Sequence, residues 1–522
     1  MTALSHEENP AVDNDRRPYI LLVILLLLTS AIALTWGYYR HLDQDEVFVY
    51  QTDSVSSIAQ VVDIQKHHPI SLDPLFYHLL EHTSLSLFGS SAFALRLPSL
   101  FGFLFMQVCL FFIAKRIAGS RAGFIAAFLP SITWTLFYAQ QARPYAVLLG
   151  LAALLLLAYQ HATRDTQRTA WLIVLVITLA LALNTHYFAI LLLAPLYCAE
   201  FARILAHRRI DWKLLAAIAI GSAGALLTLP FQQAAGEFRK HYYNAGRIGF
   251  HAITQSYRAL FVDYTRDTLS AQHAIMAFLV ISAIVFAAAL FLRFRSDDPA
   301  IPLPEKVFLL VLAILPFFGF LLARFVTHSI EVRYILPTII GISVLIAIAA
   351  TPIYCRGISF TTLTFALLFI VVGTGAEHVG EARTLAPTAA MLTVPEASTV
   401  QGPIYIQSMG NFEELVPYIA DPAVQSRIAL VYSAPIEIAL AHHDTQSLTA
   451  DHMRHFTRYR IDRYEDLRNQ PGAHLFILYP HDGWNWLDRQ LALDHATITP
   501  IGPALKGHLV RVEFLSNRNG GL

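Results

Sequence analysis

The stretch Tyr19–Tyr39, YILLVILLLLTSAIALTWGYY, carries no charged residue and decides the fold class. A helix needs about 20 apolar residues to cross the hydrocarbon core of a bilayer. The leader before this stretch is acidic, and the apolar run continues through Trp36. We therefore interpret it as an uncleaved signal-anchor rather than a cleaved signal peptide.

Ten further segments have the composition of membrane-spanning helices. Only 14% of the 522 residues are charged, against about 25% in soluble domains. The segments are Ala92–Ala114, Ala122–Tyr138, Pro144–Gln160, Trp171–Leu183, Tyr187–Leu205, Leu214–Pro230, Ala274–Leu292, Val307–Phe325, Ile335–Ala350 and Phe360–Val372. The sequence thus predicts a polytopic α-helical membrane protein with about eleven transmembrane helices.

Lysine and arginine accumulate in alternate loops between these segments. The basic loops carry Arg16-Arg17, Lys115-Arg116-Arg121, Arg164-Arg168, Arg203-Arg208-Arg209-Lys213, Arg293-Arg295-Lys306 and Arg356. Because cytoplasmic loops are rich in lysine and arginine, these loops and the N-terminal tail at residues 1–18 are predicted to be cytoplasmic. Residues 40–91 and 234–273 are then outer loops of a transmembrane domain at residues 19–375.

Residues 377–522 have a different pattern from the membrane region. Short runs typical of β-strands, at 404–406, 428–432, 475–479 and 509–514, alternate with helical patterns at 412–419, 437–442 and 484–493. Such alternation favours a small α/β domain. The segment contains neither a glycine-rich phosphate loop nor a nucleophile elbow, so we interpret it as an extracytoplasmic accessory or docking domain.

Three carboxylates, Asp43, Asp45 and Glu46, directly follow the first span. Carboxylates at a membrane boundary are costly unless they are solvated or functional. If an amphipathic helix follows in the interface, Asp43 and Glu46 share one face and Asp45 points elsewhere. A single general base fits this spacing better than a two-carboxylate pair. Capping of the helix N-terminus is the structural alternative.

Arginines recur at the outer ends of the spans, at Arg96, Arg143 and Arg333. Ionisable residues within membrane segments are functional candidates, and guanidinium groups suit a phosphate through bidentate hydrogen bonds. Snorkelling to lipid headgroups is the alternative. Asp73 followed by Pro74 predicts the start of a second interfacial helix, with Asp73 as its N-cap residue.

Metal and nucleic-acid binding find little support in the sequence. His67 and His68 are adjacent, but no acidic partners follow at ligand spacing, so no metal site is predicted and a divalent metal stays an open alternative. The three cysteines suggest neither a disulfide nor a metal clamp. The formal net charge is zero, which argues against a nucleic-acid partner.

Four short motifs, in their order along the chain, resemble those of the GT-C superfamily of polyprenyl-phosphate-dependent glycosyltransferases. They are Asp45-Glu46, Pro74-Leu75-Phe76-Tyr77, Arg96-Leu97-Pro98-Ser99 and Arg143-Pro144-Tyr145. The resemblance is in particular to the bacterial relatives of protein O-mannosyltransferases and of the aminoarabinose transferase acting on lipid A. The resemblance extends to about Cys355. Asp73 replaces a second proline, and Asp43 leaves open which of the three acids is the base.

The resemblance implies a GT-C-like glycosyltransferase in the bacterial inner membrane, with a polyprenyl-phosphate-linked sugar as donor. The acceptor would be a lipid, glycan or protein on the extracytoplasmic face, and Asp45 would be the base of an inverting displacement. The candidate substrate-binding residues are His68, Asp73, Tyr77, Arg96, Arg143, Tyr145, His186, Tyr187, Arg239, Arg333 and Tyr334. A transporter or flippase of lipid-linked sugars and a non-catalytic envelope scaffold are the alternatives, but charges clustered at the outer boundary favour an enzyme.

Overall fold

The computed structural model describes residues 16–238, 249–261, 301–328, 330–356, 360–386, 388–479 and 485–514. The membrane region begins with α1 (Arg17–Tyr39), α2 (Gln44–Asp53), α3 (Ile58–His67), α4 (Leu75–Phe88), α5 (Ala92–Ala118), α6 (Ser120–Phe128), α7 (Tyr145–Arg164), α8 (Arg168–Leu183), α9 (Leu193–His207), α10 (Trp212–Ala223) and α11 (Leu229–Glu237). Its later helices are His251–Phe261, Leu303–Ala313, Leu315–Leu322, Thr338–Arg356 and Phe360–Leu385.

Ten of the eleven predicted spans coincide with apolar helices, and the eleventh, residues 274–292, lies outside the described residues. Six of these helices are long enough to cross a membrane alone, two are shorter, and two spans are bent by 78° and 58°. Each bent span contains a proline near its break, Pro130 and Pro316 respectively. Proline lacks the N–H that a continuous helix requires. The predicted polytopic helical fold is confirmed.

Helices α5 and α7 pack closely through two glycines. A Cβ atom on Gly102 would lie 2.6 Å from the Val147 Cα atom, and one on Gly150 would lie 2.7 Å from the Gly102 carbonyl oxygen. Small residues permit such close approach in a membrane, where packing contributes much of the attraction between helices. The contact brings Arg96, near the start of α5, and Arg143, just before α7, to the same end of the bundle.

The loops that the sequence predicts to be cytoplasmic meet at the opposite end of the bundle. Arg116 pairs with Asp165, and Arg168 pairs with Asp211. Each pair joins segments that are more than forty residues apart in the chain. Alternate loops therefore lie on the same side of the helices, as their charge pattern predicts.

The first outer loop differs from the single amphipathic helix that its spacing predicts. Helix α2 ends at Asp53, and α3 begins after Ser57, whose hydroxyl accepts a hydrogen bond from the Gln60 N–H. Serine side chains compete in this way with a continuous helix. The N-cap residue of α4 is Pro74, without a side-chain cap, so the prediction that Asp73 caps this helix is wrong.

The C-terminal domain contains a six-stranded sheet in the order β3-β2-β1-β4-β6-β5. Its strands are β1 (Ile404–Ile406), β2 (Ile428–Tyr432), β3 (Arg460–Arg463), β4 (Ala473–Leu478), β5 (Thr497–Ala504) and β6 (Gly507–Glu513). Its helices are Met409–Leu415, Pro422–Gln425, Ala434–Ala441, Thr445–Met453, Tyr464–Asn469 and Leu487–Leu493. Strands β1 to β4 are parallel, and β6 is antiparallel to both β4 and β5. The predicted α/β fold of this region is confirmed.

Two of the six strands carry no recognisable strand pattern in the sequence. Strand β3 reads RIDR, and β5 contains Pro500 and Pro503. Both strands lie at the edges of the sheet. Edge strands tolerate charge and proline, because one side of their backbone needs no ladder partner.

The C-terminal domain packs directly against the start of the first outer loop. Gln51 Nε2 donates a hydrogen bond to Glu413 Oε2 at 2.7 Å, and the Leu42 N–H donates one to the Tyr418 hydroxyl at 2.9 Å. The His41 ring stacks on Tyr418 with ring centroids 3.9 Å apart. These contacts hold α2, which carries the acidic cluster, against the C-terminal domain.

Candidate active site

A cavity of about 870 Å³ lies between the first outer loop, the outer ends of the spans and the C-terminal domain. Of the fourteen candidate site residues selected from the sequence, eight line its membrane-side wall: Asp45, Asp73, Arg143, Tyr145, His186, Tyr187, Arg333 and Tyr334. These residues come from segments that are far apart in the chain. The charge pattern assigns all of these segments to one side of the membrane, and they meet at one site.

Glu46 is fully buried beside this cavity in a network of donors. Arg96 donates two hydrogen bonds to its carboxylate, at 2.8 and 2.9 Å, and Arg40 also contacts it. The Ala142 N–H donates a further bond at 2.8 Å. Burial alone would raise the pKa of Glu46, but the two guanidinium groups outweigh burial and lower it to about 2. Both carboxylate oxygens of Glu46 are therefore engaged by donors of the protein itself.

Asp43 is the N-cap residue of α2. Its carboxylate accepts the Glu46 N–H at 2.9 Å, and Glu46 in return accepts the Asp43 N–H, which forms a capping box. Gln141 donates to the second oxygen at 2.9 Å. Burial and the charge of Glu46 raise the pKa of Asp43. The capping alternative is therefore correct for Asp43 and Glu46.

Asp45 is the member of the acidic cluster that lines the cavity. Its Oδ2 atom lies 3.1 Å from Arg333 Nη1 and 3.9 Å from Arg143 Nε, and 35% of its side chain is exposed. Oδ1 accepts no hydrogen bond from the part of the chain that the structure describes. Burial opposes ionisation of Asp45, but Arg143 and Arg333 outweigh burial and lower its pKa. The cavity thus contains an ionised carboxylate with one uncommitted oxygen.

Two arginines and their partners form the polar floor of the cavity. Arg143 Nη2 lies 3.2 Å from Asp73 Oδ2, which also accepts the Ser71 hydroxyl at 3.3 Å. The Tyr145 ring centroid lies 5.8 Å from the guanidinium carbon of Arg143 and 5.9 Å from that of Arg333. Both guanidinium groups are thus within cation–π distance of one ring, and the Asp45 carboxylate contacts both of them. Each guanidinium carries five N–H donors, so several remain for an anion.

His186 adds a neutral polar group to this floor. It is 5% exposed, and its Nε2 lies 4.0 Å from Asp73 Oδ1. Burial lowers the pKa of His186 to about 4, against the opposing effect of Asp73. The imidazole is therefore uncharged at neutral pH. Its Nδ1 accepts the Phe188 N–H at 3.2 Å, so Nε2 carries the proton and can donate a hydrogen bond.

Three predicted substrate-binding residues lie away from the cavity, and a fourth is outside the described residues. Arg96 is committed to Glu46, and Tyr77 is fully buried in the first outer loop. The His68 ring stacks on His455 of the C-terminal domain, with centroids 3.8 Å apart. Arg239 belongs to the segment that the structure does not describe.

Residues of the C-terminal domain also line the cavity, and sequence reasoning missed them. They are Ser408, Gly410, Asn411, Glu414, Thr445, Gln446 and Thr449. No motif marks these residues, because hydroxyl and amide side chains are ordinary on the surface of any domain. Within the described ranges, no group of three histidine, cysteine or acidic side chains is arranged to hold a metal ion.

The chain is similar to one protein family in part of its sequence and to several solved structures in its fold. The family model for dolichyl-phosphate-mannose-protein mannosyltransferases matches residues 67–231. No curated protein sequence matches the chain. The crystal structure of ArnT from Cupriavidus metallidurans in the apo state has a TM-score of 0.59 at 14% identity, with 94% of this chain and 98% of that chain covered.

Two more structures share this architecture. ArnT from the same organism bound to undecaprenyl phosphate has a TM-score of 0.60 at 14% identity, with 97% of this chain and 100% of that chain covered. The oligosaccharyltransferase of Archaeoglobus fulgidus in complex with Zn and sulfate has a TM-score of 0.50 at 14% identity, with coverage of 95% and 74%. The chain therefore shares the fold of the ArnT structures, and its residues 67–231 match the mannosyltransferase family model.

Proposed function

We propose that the protein transfers a sugar from a polyprenyl-phosphate donor to an acceptor hydroxyl, with Asp45 as the general base. The observation that carries this proposal is the position of Asp45 in the cavity, ionised and 3.1 Å from Arg333. The donor class is supported by the matched family model and by the undecaprenyl phosphate bound in the related ArnT structure. Donor recognition would fall to the two arginines of the cavity floor.

The chemistry is a direct displacement at the anomeric carbon. The acceptor oxygen forms a bond to that carbon while the bond from the carbon to the phosphate oxygen breaks, so the configuration inverts. The acceptor proton moves to Asp45 Oδ1, and the negative charge that develops on the leaving phosphate is stabilised by Arg143 and Arg333. The acceptor hydroxyl becomes acidic only as its oxygen bonds to carbon, so a carboxylate with a low pKa suffices as the base.

We place the cavity on the extracytoplasmic face of a bacterial inner membrane. The support is the concentration of lysine and arginine in the loops at the opposite end of the bundle, which is typical of the cytoplasmic side. The N-terminus is then cytoplasmic and the C-terminal domain extracytoplasmic. The acceptor would be a lipid, glycan or protein that reaches the cavity from that side.

Deletion of the protein tests the reaction class. Mass spectrometry of envelope lipids and glycans should show that one glycosylated species disappears while a polyprenyl-phosphate-linked sugar accumulates. The wild-type chain supplied in trans should restore both pools. Unchanged pools of product and donor in the deletion strain would contradict a transferase role.

Substitution of Arg333 should change the pH dependence of the reaction. The ionised form of Asp45 is the base, and Arg333 helps to hold its pKa below the ordinary value. In Arg333→Ala the pKa of Asp45 rises, so the acidic limb of the kcat/KM profile should move to higher pH. Arg333→Lys keeps the charge and should move the limb less. An acidic limb at the same pH in wild type and Arg333→Ala would show that another group titrates.

A further inference from the structure

The wall of the cavity that belongs to the C-terminal domain is chemically unlike the opposite wall. It presents the side chains of Ser408, Asn411, Glu414, Thr445, Gln446 and Thr449, of which Glu414 is the one ionisable group. The membrane-side wall, in contrast, contains Asp45, Asp73, Arg143 and Arg333. The displacement described above uses the membrane-side wall and leaves the wall of the C-terminal domain without a role.

The topology of the sheet places this wall of the C-terminal domain where α/β domains bind ligands. The chain proceeds from β1 to β2 and β3 on one side of β1, and then crosses to β4 on the other side. Ligands of open α/β sheets bind beyond the carboxyl ends of the strands at such a reversal of strand order. Ser408, at the carboxyl end of β1, is 3% exposed and accepts a hydrogen bond from Asn411 Nδ2 at 2.9 Å.

Hydrogen-bonding capacity remains unused on this wall. Thr445 Oγ1 is buried and has no hydrogen-bond partner among the described residues. Gln446 Oε1 accepts a bond from Gln407 at 3.4 Å, while its Nε2 donates none within the described ranges. Buried polar atoms without partners are rare in folded proteins. Groups that both donate and accept, such as the hydroxyls of a sugar, match a mixture of hydroxyl and amide side chains.

We infer that Ser408, Asn411, Thr445, Gln446 and Thr449 form a subsite for a neutral, hydroxyl-rich group, namely a sugar ring. The inference rests on the proposed function and adds the class of group that the C-terminal domain recognises. A cavity of about 870 Å³ has room for a sugar in addition to a phosphate. The ring belongs either to the donor or to the acceptor, and the two sources give different results in one experiment.

The test uses Asn411→Ala and Gln446→Ala in the full-length protein, with Gln470→Ala, an exposed glutamine of the same domain, as the control. The binding probes are undecaprenyl phosphate and undecaprenyl phosphate mannose. If the subsite binds the donor sugar, each variant should lose about tenfold in affinity for the mannose-bearing lipid, which is about 1.4 kcal/mol and within the usual contribution of one hydrogen bond. Affinity for the bare lipid phosphate should not change.

If the subsite binds a sugar of the acceptor, both lipids should bind the variants as they bind the wild type. The glycosylated envelope species measured in complemented deletion cells should then fall several-fold, with the control variant unaffected. Unchanged binding together with an unchanged product would overturn the inference, as would an equal loss of affinity for both lipids. If Asp45→Asn abolishes transfer while both wall variants match the wild type in lipid binding and in product, this inference fails and the proposed function stands. Undiminished transfer by Asp45→Asn removes the base role of Asp45, and unchanged envelope pools in the deletion strain remove the proposed function itself.

Discussion

Asp45→Asn should reduce sugar transfer by about two to four orders of magnitude, the usual contribution of a general base. Asparagine has nearly the same shape as aspartate but cannot accept the proton of the acceptor hydroxyl. Donor binding should persist, because both cavity arginines remain. Transfer is measured by the glycosylated product in complemented deletion cells, and donor binding by titration of the purified variant with undecaprenyl phosphate mannose.

The matched control is Asp63→Asn, an exposed aspartate in α3 of the same outer loop, with 69% of its side chain accessible. It should retain wild-type transfer. Equal activity of Asp45→Asn and Asp63→Asn would exclude Asp45 as the base. Loss of both lipid binding and transfer in Asp45→Asn would instead indicate that Asp45 organises the cavity rather than takes a proton.

Glu46→Ala should have a different consequence, namely loss of the folded protein. Removal of the carboxylate leaves the buried Arg96 without a carboxylate partner, while the half-buried Arg40 keeps Asp43. Breaking a buried ion pair in this way typically costs about 3–5 kcal/mol. The expected result is a large fall in unfolding temperature and in the yield of monodisperse protein from detergent. Glu46→Gln keeps the side-chain shape and one acceptor oxygen, so the unfolding temperature of this variant should fall less.

The control for this experiment is Glu377→Ala, which removes an exposed glutamate and should leave the unfolding temperature unchanged. A Glu46→Ala protein that is as stable as the control, yet inactive, would refute the structural assignment and return Glu46 to the catalytic candidates. Substitution of Asp45 is thus expected to impair the reaction in a folded protein, whereas substitution of its neighbour Glu46 is expected to impair folding.

The division of roles between these neighbours could not be predicted from the sequence. Adjacent helical residues point about 100° apart, so one of them faces the cavity and the other faces the bundle. The spacing separates Asp45 from the pair Asp43 and Glu46, but it does not say which face meets a substrate. The answer depends on Arg96, fifty residues further along, and on Arg333, which is 288 residues away.

Among the predicted binding residues, those at the outer ends of spans were easier to identify than those in loops. Arg143 and Arg333 line the cavity, since a cation at a membrane boundary needs either an anion or a lipid headgroup. His68 and Tyr77 occur in equally suggestive motifs, but they pack within the first loop and against the C-terminal domain. Their burial results from tertiary contacts that no local sequence pattern indicates.

The stretch Tyr19–Tyr39 and the ten later apolar segments determine by themselves that the chain is a polytopic membrane protein. The lysine and arginine residues of the loops determine that alternate loops lie on the same side. Hydropathy and loop charge are local properties, and a bilayer acts on each segment almost independently of the others. Only the tertiary structure decides which acid reaches the cavity and that the C-terminal domain supplies one of its walls. Those outcomes depend on contacts such as Gln51 with Glu413, which lie 362 residues apart and form only when the two regions pack together.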